Sequence, residues 1–153
     1  MIKNKKLCWT ILIITAIAVS YFLWLSLRPV KIVAVHDDGN YSDVLVNQFP
    51  ITVRGKIGWW RENREMLKSH YGIPKPSLSG SYTITFWLFG DGYMEEEKYD
   101  RLCFLEMKTK KNCIEKEKTF TVRYSKHSGL YFLAHDGYYQ ITDSGKIVKR
   151  PSH

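Results

Sequence analysis

The feature that most constrains this chain is a run of 21 residues without a charge, Leu7 to Leu27, reading LCWTILIITAIAVSYFLWLSL. Lys3, Lys5 and Lys6 precede it, and Arg28 and Pro29 close it. As a helix it extends roughly 30 Å, the hydrocarbon thickness of a bilayer. A segment of this kind has no place in the core of a small soluble domain, so everything after Arg28 is expected to work beside a membrane.

A cleaved signal peptide is the rival reading. The basic start, the apolar stretch to Thr15 and the small-residue pattern Ala16-Ile17-Ala18 all suit one. The apolar run does not end there, however. Tyr21, Phe22, Leu23, Trp24, Leu25 and Leu27 follow at once and bring the segment to spanning length. A retained anchor is therefore expected over residues 7–27, with a tail at 1–6 and one domain at 28–153. Tyr21, Trp24 and Arg28 suit the membrane interface, where amphipathic aromatic rings collect.

Three lysines and the amino terminus lie before the span, while only Arg28 and Lys31 lie close after it. The positive-inside rule then places the N-terminus in the cytoplasm and the larger part outside, which is the periplasm for a Gram-negative bacterium and the cell exterior or a lumen otherwise. All 15 acidic residues and all but three of the 23 lysines and arginines follow the span, giving that part a net charge of +5. This is too mild, and on the wrong side of the membrane, for a nucleic-acid partner. Lys108, Lys110, Lys111, Lys116 and Lys118 alternate with Glu106, Glu115 and Glu117. That pattern reads as a solvated hairpin or helix face, with weak contact to anionic lipid or an acidic partner as the sharper alternative.

Cys8 lies within the apolar run, whereas Cys103 and Cys113 lie ten apart in RLCFLEMKTKKNCIEK. An even pair in an oxidising compartment predicts a disulfide. A zinc site is the rival, without a CxxC or HxxxH to support it.

The pattern after the span predicts an α+β domain with an antiparallel sheet or meander and one amphipathic helix. Strands are expected near 30–36 and 43–49, then at 81–89, at 101–107 as strand or irregular chain, and as a meander over 119–149. Asp-Gly and Ser-Gly turns punctuate that meander. The helix is expected over 55–71, with Ile57, Trp60, Leu67 and Tyr71 on one face, and Gly72 as its cap.

No nucleophile elbow, HExxH, P-loop or EF-hand spacing is present. His36, His70, His127, His135 and His153 are scattered without metal-ligand spacing. The acidic stretch with Asp91, Glu95, Glu96, Glu97 and Asp100 is the best candidate for a calcium site or paired carboxylates. Its spacing matches no calcium loop and reads better as a polar turn. No catalytic residue, metal or cofactor is expected. Tyr93, Tyr138 and Tyr139, in turn-rich sequence, are the candidate partner surface, because rigid aromatics are favoured at interfaces.

The junction FLWLSLRPVKIVAVH, the stretch GKIGWW, the IPKP loop, and the segments FGDGY, EEEKYDRLCF, MKT and KNCIEK together resemble the enterobacterial membrane-protein family known as domain-of-unknown-function family 943. The resemblance runs from about Phe22 to Lys149. It implies a single N-terminal anchor and a small exported domain, with Cys103 and Cys113 matching the family's cysteine pair, and it carries over no catalytic site. The softer implication, from the habit of such small genes to lie beside antibacterial toxin loci, is an anchored binding protein that acts as an immunity protein in the envelope. An accessory subunit or regulator of an inner-membrane complex is the alternative. An enzyme acting on envelope substrates ranks third.

Overall fold

The computed structural model describes residues 2–97 and 100–151, so Tyr99 and His153 lie outside the described residues. α1 (Ile2–Leu27) is one continuous helix. Its stretch from Lys3 to Leu27 is long and apolar enough to cross a membrane, and none of that window is buried inside the protein. The helix starts before the apolar run because Lys3, Lys5 and Lys6 are good helix formers.

The rest of the described chain is β1 (Ile32–Asp38), β2 (Tyr41–Val46), α2 (Val53–Tyr71), β3 (Tyr82–Leu88), β4 (Met94–Glu95), β5 (Arg101–Cys103), β6 (Lys111–Glu115), β7 (Lys118–Ser125), β8 (Gly129–Ala134), β9 (Gly137–Ile141) and β10 (Ile147–Arg150). A seven-stranded sheet has the order β1-β2-β3-β7-β8-β9-β10. The fold is α+β, as expected, with one departure from a purely antiparallel sheet. β2 and β3 pair in parallel, Val44 opposite Phe86. Parallel neighbours need a long crossover, and α2 is that crossover. The other pairs of this sheet are antiparallel.

α2 begins two residues earlier than the apolar periodicity suggests. Thr52 caps it by accepting a hydrogen bond from the Gly55 N–H at 3.0 Å. That cap packs so tightly that a Cβ on Gly55 would stand 2.9 Å from Thr52 Oγ1 and 3.0 Å from Pro50 Cβ. At the other end Gly72 adopts φ 67°, and its N–H reaches Lys68 O at 3.0 Å, as the Gly-Ile-Pro stop predicts. Ile57, Trp60 and Leu67 are the buried apolar face, whereas Tyr71 is exposed. They meet Val44, Val46, Ile84, Phe86, Phe120, Val122 and Phe132 from the sheet in the main core. Lys56 is buried beside them and donates to Thr119 O at 3.1 Å. Burial holds its ammonium below the usual lysine range.

On the opposite face of the sheet lies a second, three-stranded sheet in the order β4-β6-β5. The lysine-rich segment expected to be a solvated hairpin or helix face contains its central strand, with Lys108, Lys110, Lys111, Lys116 and Lys118 exposed. In β6, Cys113 and Ile114 are fully buried between the polar Asn112 and Glu115. Ile114 joins Leu45 and Phe104 in a small core that also takes in Ala34, Trp87, Tyr93 and Leu102. Cys103 faces Cys113 across the β5–β6 ladder, and the two form a disulfide. Cys8 is free and exposed on α1.

Candidate interaction surface

The small sheet covers only one half of the main sheet's outer face. Its core draws on β1, β2 and β3 and takes nothing from β7 to β10. Cross-strand partners share a face, so the ladder identifies what the other half presents. Arg123 stands opposite Tyr131, Leu133 opposite Tyr138, Tyr138 opposite Arg150, and Gln140 opposite Val148. The Tyr131 and Tyr138 rings lie 6.0 Å apart. Gln140 is held between neighbours, donating to Ser128 O at 3.2 Å and accepting from Arg150 Nε at 3.1 Å. Tyr131, Tyr138, Gln140 and Arg150 line a shallow groove of about 480 Å³ together with Ser128 and Pro151, and Arg123 flanks it across the ladder from Tyr131. Its composition, tyrosine and arginine around one anchored amide, is that of protein-binding hot spots.

The sheet junction is built differently. His36 on β1 sits beneath the cysteine loop, stacked on Phe104 with ring centroids 3.8 Å apart. Its Nδ1 lies 2.6 Å from Glu106 Oε1, and its Nε2 lies 2.8 Å from the Tyr93 hydroxyl. A carboxylate only accepts, so Nδ1 carries the proton and, in the neutral ring, Nε2 accepts from Tyr93. Both nitrogens are thus used to tie the small sheet to β1. Burial, and then the charge of Glu106, push the Tyr93 phenol above its usual range. Directly across the ladder from His36, Asp43 accepts from Trp87 Nε1 at 2.7 Å. Burial raises its carboxyl pKa, against the opposing effects of that hydrogen bond and of His36.

Asp43 carries a pH dependence whose sign follows from this. The folded chain holds the proton more tightly than the unfolded chain, so the contribution is fully present below 3.8 and is lost as pH rises through the raised value. Asp43→Asn keeps an oxygen for Trp87 and cannot ionise. Thermal melts of the full chain in detergent are expected to show the variant more stable than the parent at pH 7, with the difference vanishing below about pH 4. A difference that does not change with pH would refute this role for Asp43.

The three tyrosines singled out from sequence occupy three separate places. Tyr138 lies in the groove. Tyr139, one residue on, points through the sheet to the inner face, packs on the main core and donates to Asp136 Oδ2 at 2.6 Å. Tyr93 belongs to the junction. Tyr131, Gln140, Arg123 and Arg150 escaped the sequence reading. Their signal was the strict alternation in β7 to β10, which becomes usable only once register is known.

The acidic stretch surrounds an arginine. Arg101 Nη1 donates to Glu95 O at 2.7 Å and lies 3.6 Å from Glu97 Oε2, while its Nε lies 3.3 Å from Glu115 Oε1. Asp100 pairs with Lys116 Nζ at 2.7 Å. Among the described residues, no group of three or more His, Cys, Asp or Glu is placed to hold a metal ion. At the end of α1, the Tyr21 and Trp24 rings lie 6.2 Å apart and the Arg28 guanidinium sits 4.8 Å over Trp24, an arrangement suited to a lipid–water boundary.

Among known families, the one described as "Enterobacterial putative membrane protein (DUF943)" matches the chain over residues 1–151. No curated protein and no solved structure matches it.

Proposed function

Since the chain belongs to this enterobacterial membrane-protein family, we propose that it is a single-pass inner-membrane protein whose residues 28–153 form a periplasmic domain that binds a protein partner. Lys3, Lys5 and Lys6 before α1 support the orientation, and the Cys103–Cys113 bond supports an oxidising compartment. The observation that carries the binding reading is the uncovered half of the outer sheet face, where Tyr131, Tyr138, Arg123 and Arg150 share one surface. No catalytic role belongs to this reading.

In its specific form the domain is an immunity protein that intercepts an antibacterial toxin in the envelope. The anchor keeps it at the surface where a pore former, lipase or wall-degrading enzyme acts. Deleting the gene is expected to sensitise cells to a toxin-bearing competitor, and the wild-type chain to restore protection. Tyr131→Ala with Tyr138→Ala, expressed at the same level, is expected not to restore it. Hot-spot tyrosines contribute about 2 kcal/mol each, so the pair corresponds to a loss of roughly a thousandfold in affinity. Full protection by the double variant, or no sensitivity on deletion, refutes the reading.

The alternative, a regulator of an inner-membrane complex, rests on α1, whose side chains from Leu7 to Trp24 all face outward. Exchanging that stretch for an unrelated span separates the two. An immunity protein retains activity, while a subunit held through its helix loses it.

A further inference from the structure

The end of the domain that meets α1 is fixed in place. Gln48 Nε2 donates to Pro29 O at 2.6 Å, the Lys31 N–H donates to Asn47 Oδ1 at 2.8 Å, and the Asn47 N–H donates to Lys31 O at 3.1 Å. The short connection after the span is therefore clamped to the loop between β2 and α2. Leu25 is half-buried, whereas the side chains from Lys3 to Trp24 are exposed, so the domain seats on the last turn of the helix. Leu25 shares that seat with Phe49, Ile51 and Leu88. Ile51 keeps 58% of its surface exposed there.

Beside this seat, between the end of α1 and the first turns of α2, lies a groove of about 610 Å³. Ser26, Arg28, Arg54, Trp59 and Asn63 line it, with Glu62 the carboxylate among its lining residues. Among the described residues, neither Arg28 nor Arg54 has a carboxylate within ion-pair distance. The first turn of α2 carries no acidic residue, so the positive end of its dipole adds to the two guanidiniums.

We propose that this groove takes the headgroup of an anionic glycerophospholipid, with Arg28 and Arg54 on its phosphate and Ile51 set in the interface beside it. The occupant follows from position and charge. α1 ends at Leu27, so the residues just beyond it lie at the level of the headgroups, and the groove opens beside them. Guanidiniums match phosphate oxygens in geometry, and each cation near an anionic leaflet strengthens attachment. The proposal is independent of any protein partner.

The test uses the full chain in nanodiscs. Spin labels are placed at Ile51→Cys and, separately, at Lys126→Cys in a Cys8→Ser background. Lys126 lies at the far end: Leu88 is at the seat, β3 and β7 are antiparallel, and Lys126 follows Ser125 at the other end of β7. The label at 51 is expected to be shielded from an aqueous relaxation agent and the label at 126 to be fully accessible. Shielding is expected to increase as phosphatidylglycerol replaces phosphatidylcholine. In Arg54→Gln, the phosphatidylglycerol content for half-maximal shielding is expected to rise about fivefold, the effect of one cation near an anionic surface. Equal accessibility at 51 and 126 overturns the seating on the membrane. Shielding that ignores both phosphatidylglycerol and Arg54→Gln overturns the anionic-lipid site.

Discussion

Replacing Phe86 with alanine is expected to lower the stability of the domain by about 3–5 kcal/mol, the range for a buried phenylalanine in a close-packed core. Phe86 is fully buried at the point where the helix meets the sheet. Its ring lies 4.9 Å from Phe49, 5.6 Å from Trp59 and 6.0 Å from Phe120. β3 is also the strand on which the parallel and antiparallel parts of the sheet join. A cavity at this place is lined from β2, α2 and β7 together, so relaxation of one element cannot close it. The loss is a large part of the 5–15 kcal/mol that holds a typical domain. Thermal unfolding of the full chain in detergent, followed by near-ultraviolet circular dichroism, measures it. A melting temperature within a degree or two of the parent would mean that the core is not organised around this ring.

Removing the disulfide, as Cys103→Ser with Cys113→Ser, is expected to cost about 2–3 kcal/mol, the chain-entropy value for so short a loop. In melting temperature this is roughly 10 °C for a domain of this size. β4 has two residues and β5 three, too few to hold a sheet by ladder hydrogen bonds alone. The bond fixes β5 to β6, and thereby fixes Phe104 and Leu102 over Leu45. Without it the small sheet is expected to open before the main sheet does. Limited trypsin digestion should then cut first between Arg101 and Lys116. Unchanged melting and unchanged resistance in that segment would refute the stapling role.

The parts of this fold that were legible in the sequence are those with a local cause. α1 follows from an unbroken apolar run, and α2 from Ile57, Trp60 and Leu67 at helical spacing with Gly72 as a stop. The strands β7 to β10 follow from their turns, where Gly129, Gly137 and Gly145 supply positive φ. The Cys103–Cys113 pairing was legible because only two cysteines follow the apolar run.

Two features had no local cause. β6 lies in a lysine-rich stretch whose apolar residues, Cys113 and Ile114, are adjacent rather than alternating. Ile114 is buried against Phe104 and against Leu45, the latter far off in the chain. The parallel pairing of β2 with β3 depends on the path of α2 across the sheet, which no pattern in either strand encodes.

The same distinction governs the candidate surfaces. By itself, the sequence determined that the chain carries a helix long and apolar enough to span a membrane, an α+β fold directly after it and a cysteine pair, because length, period and composition act within a few turns of chain. It also marked Tyr138 and Tyr139 without deciding between them. Only the tertiary structure decided that Tyr138 faces the open groove and Tyr139 the core, because the pleat sends neighbouring side chains to opposite faces and the register against β8 and β10 fixes which face is covered. It decided as well that Arg54 and Arg28 line one groove. The hydrogen bonds that Asn47 and Gln48 make with the connection after α1 close a distance that no reading along the chain contains.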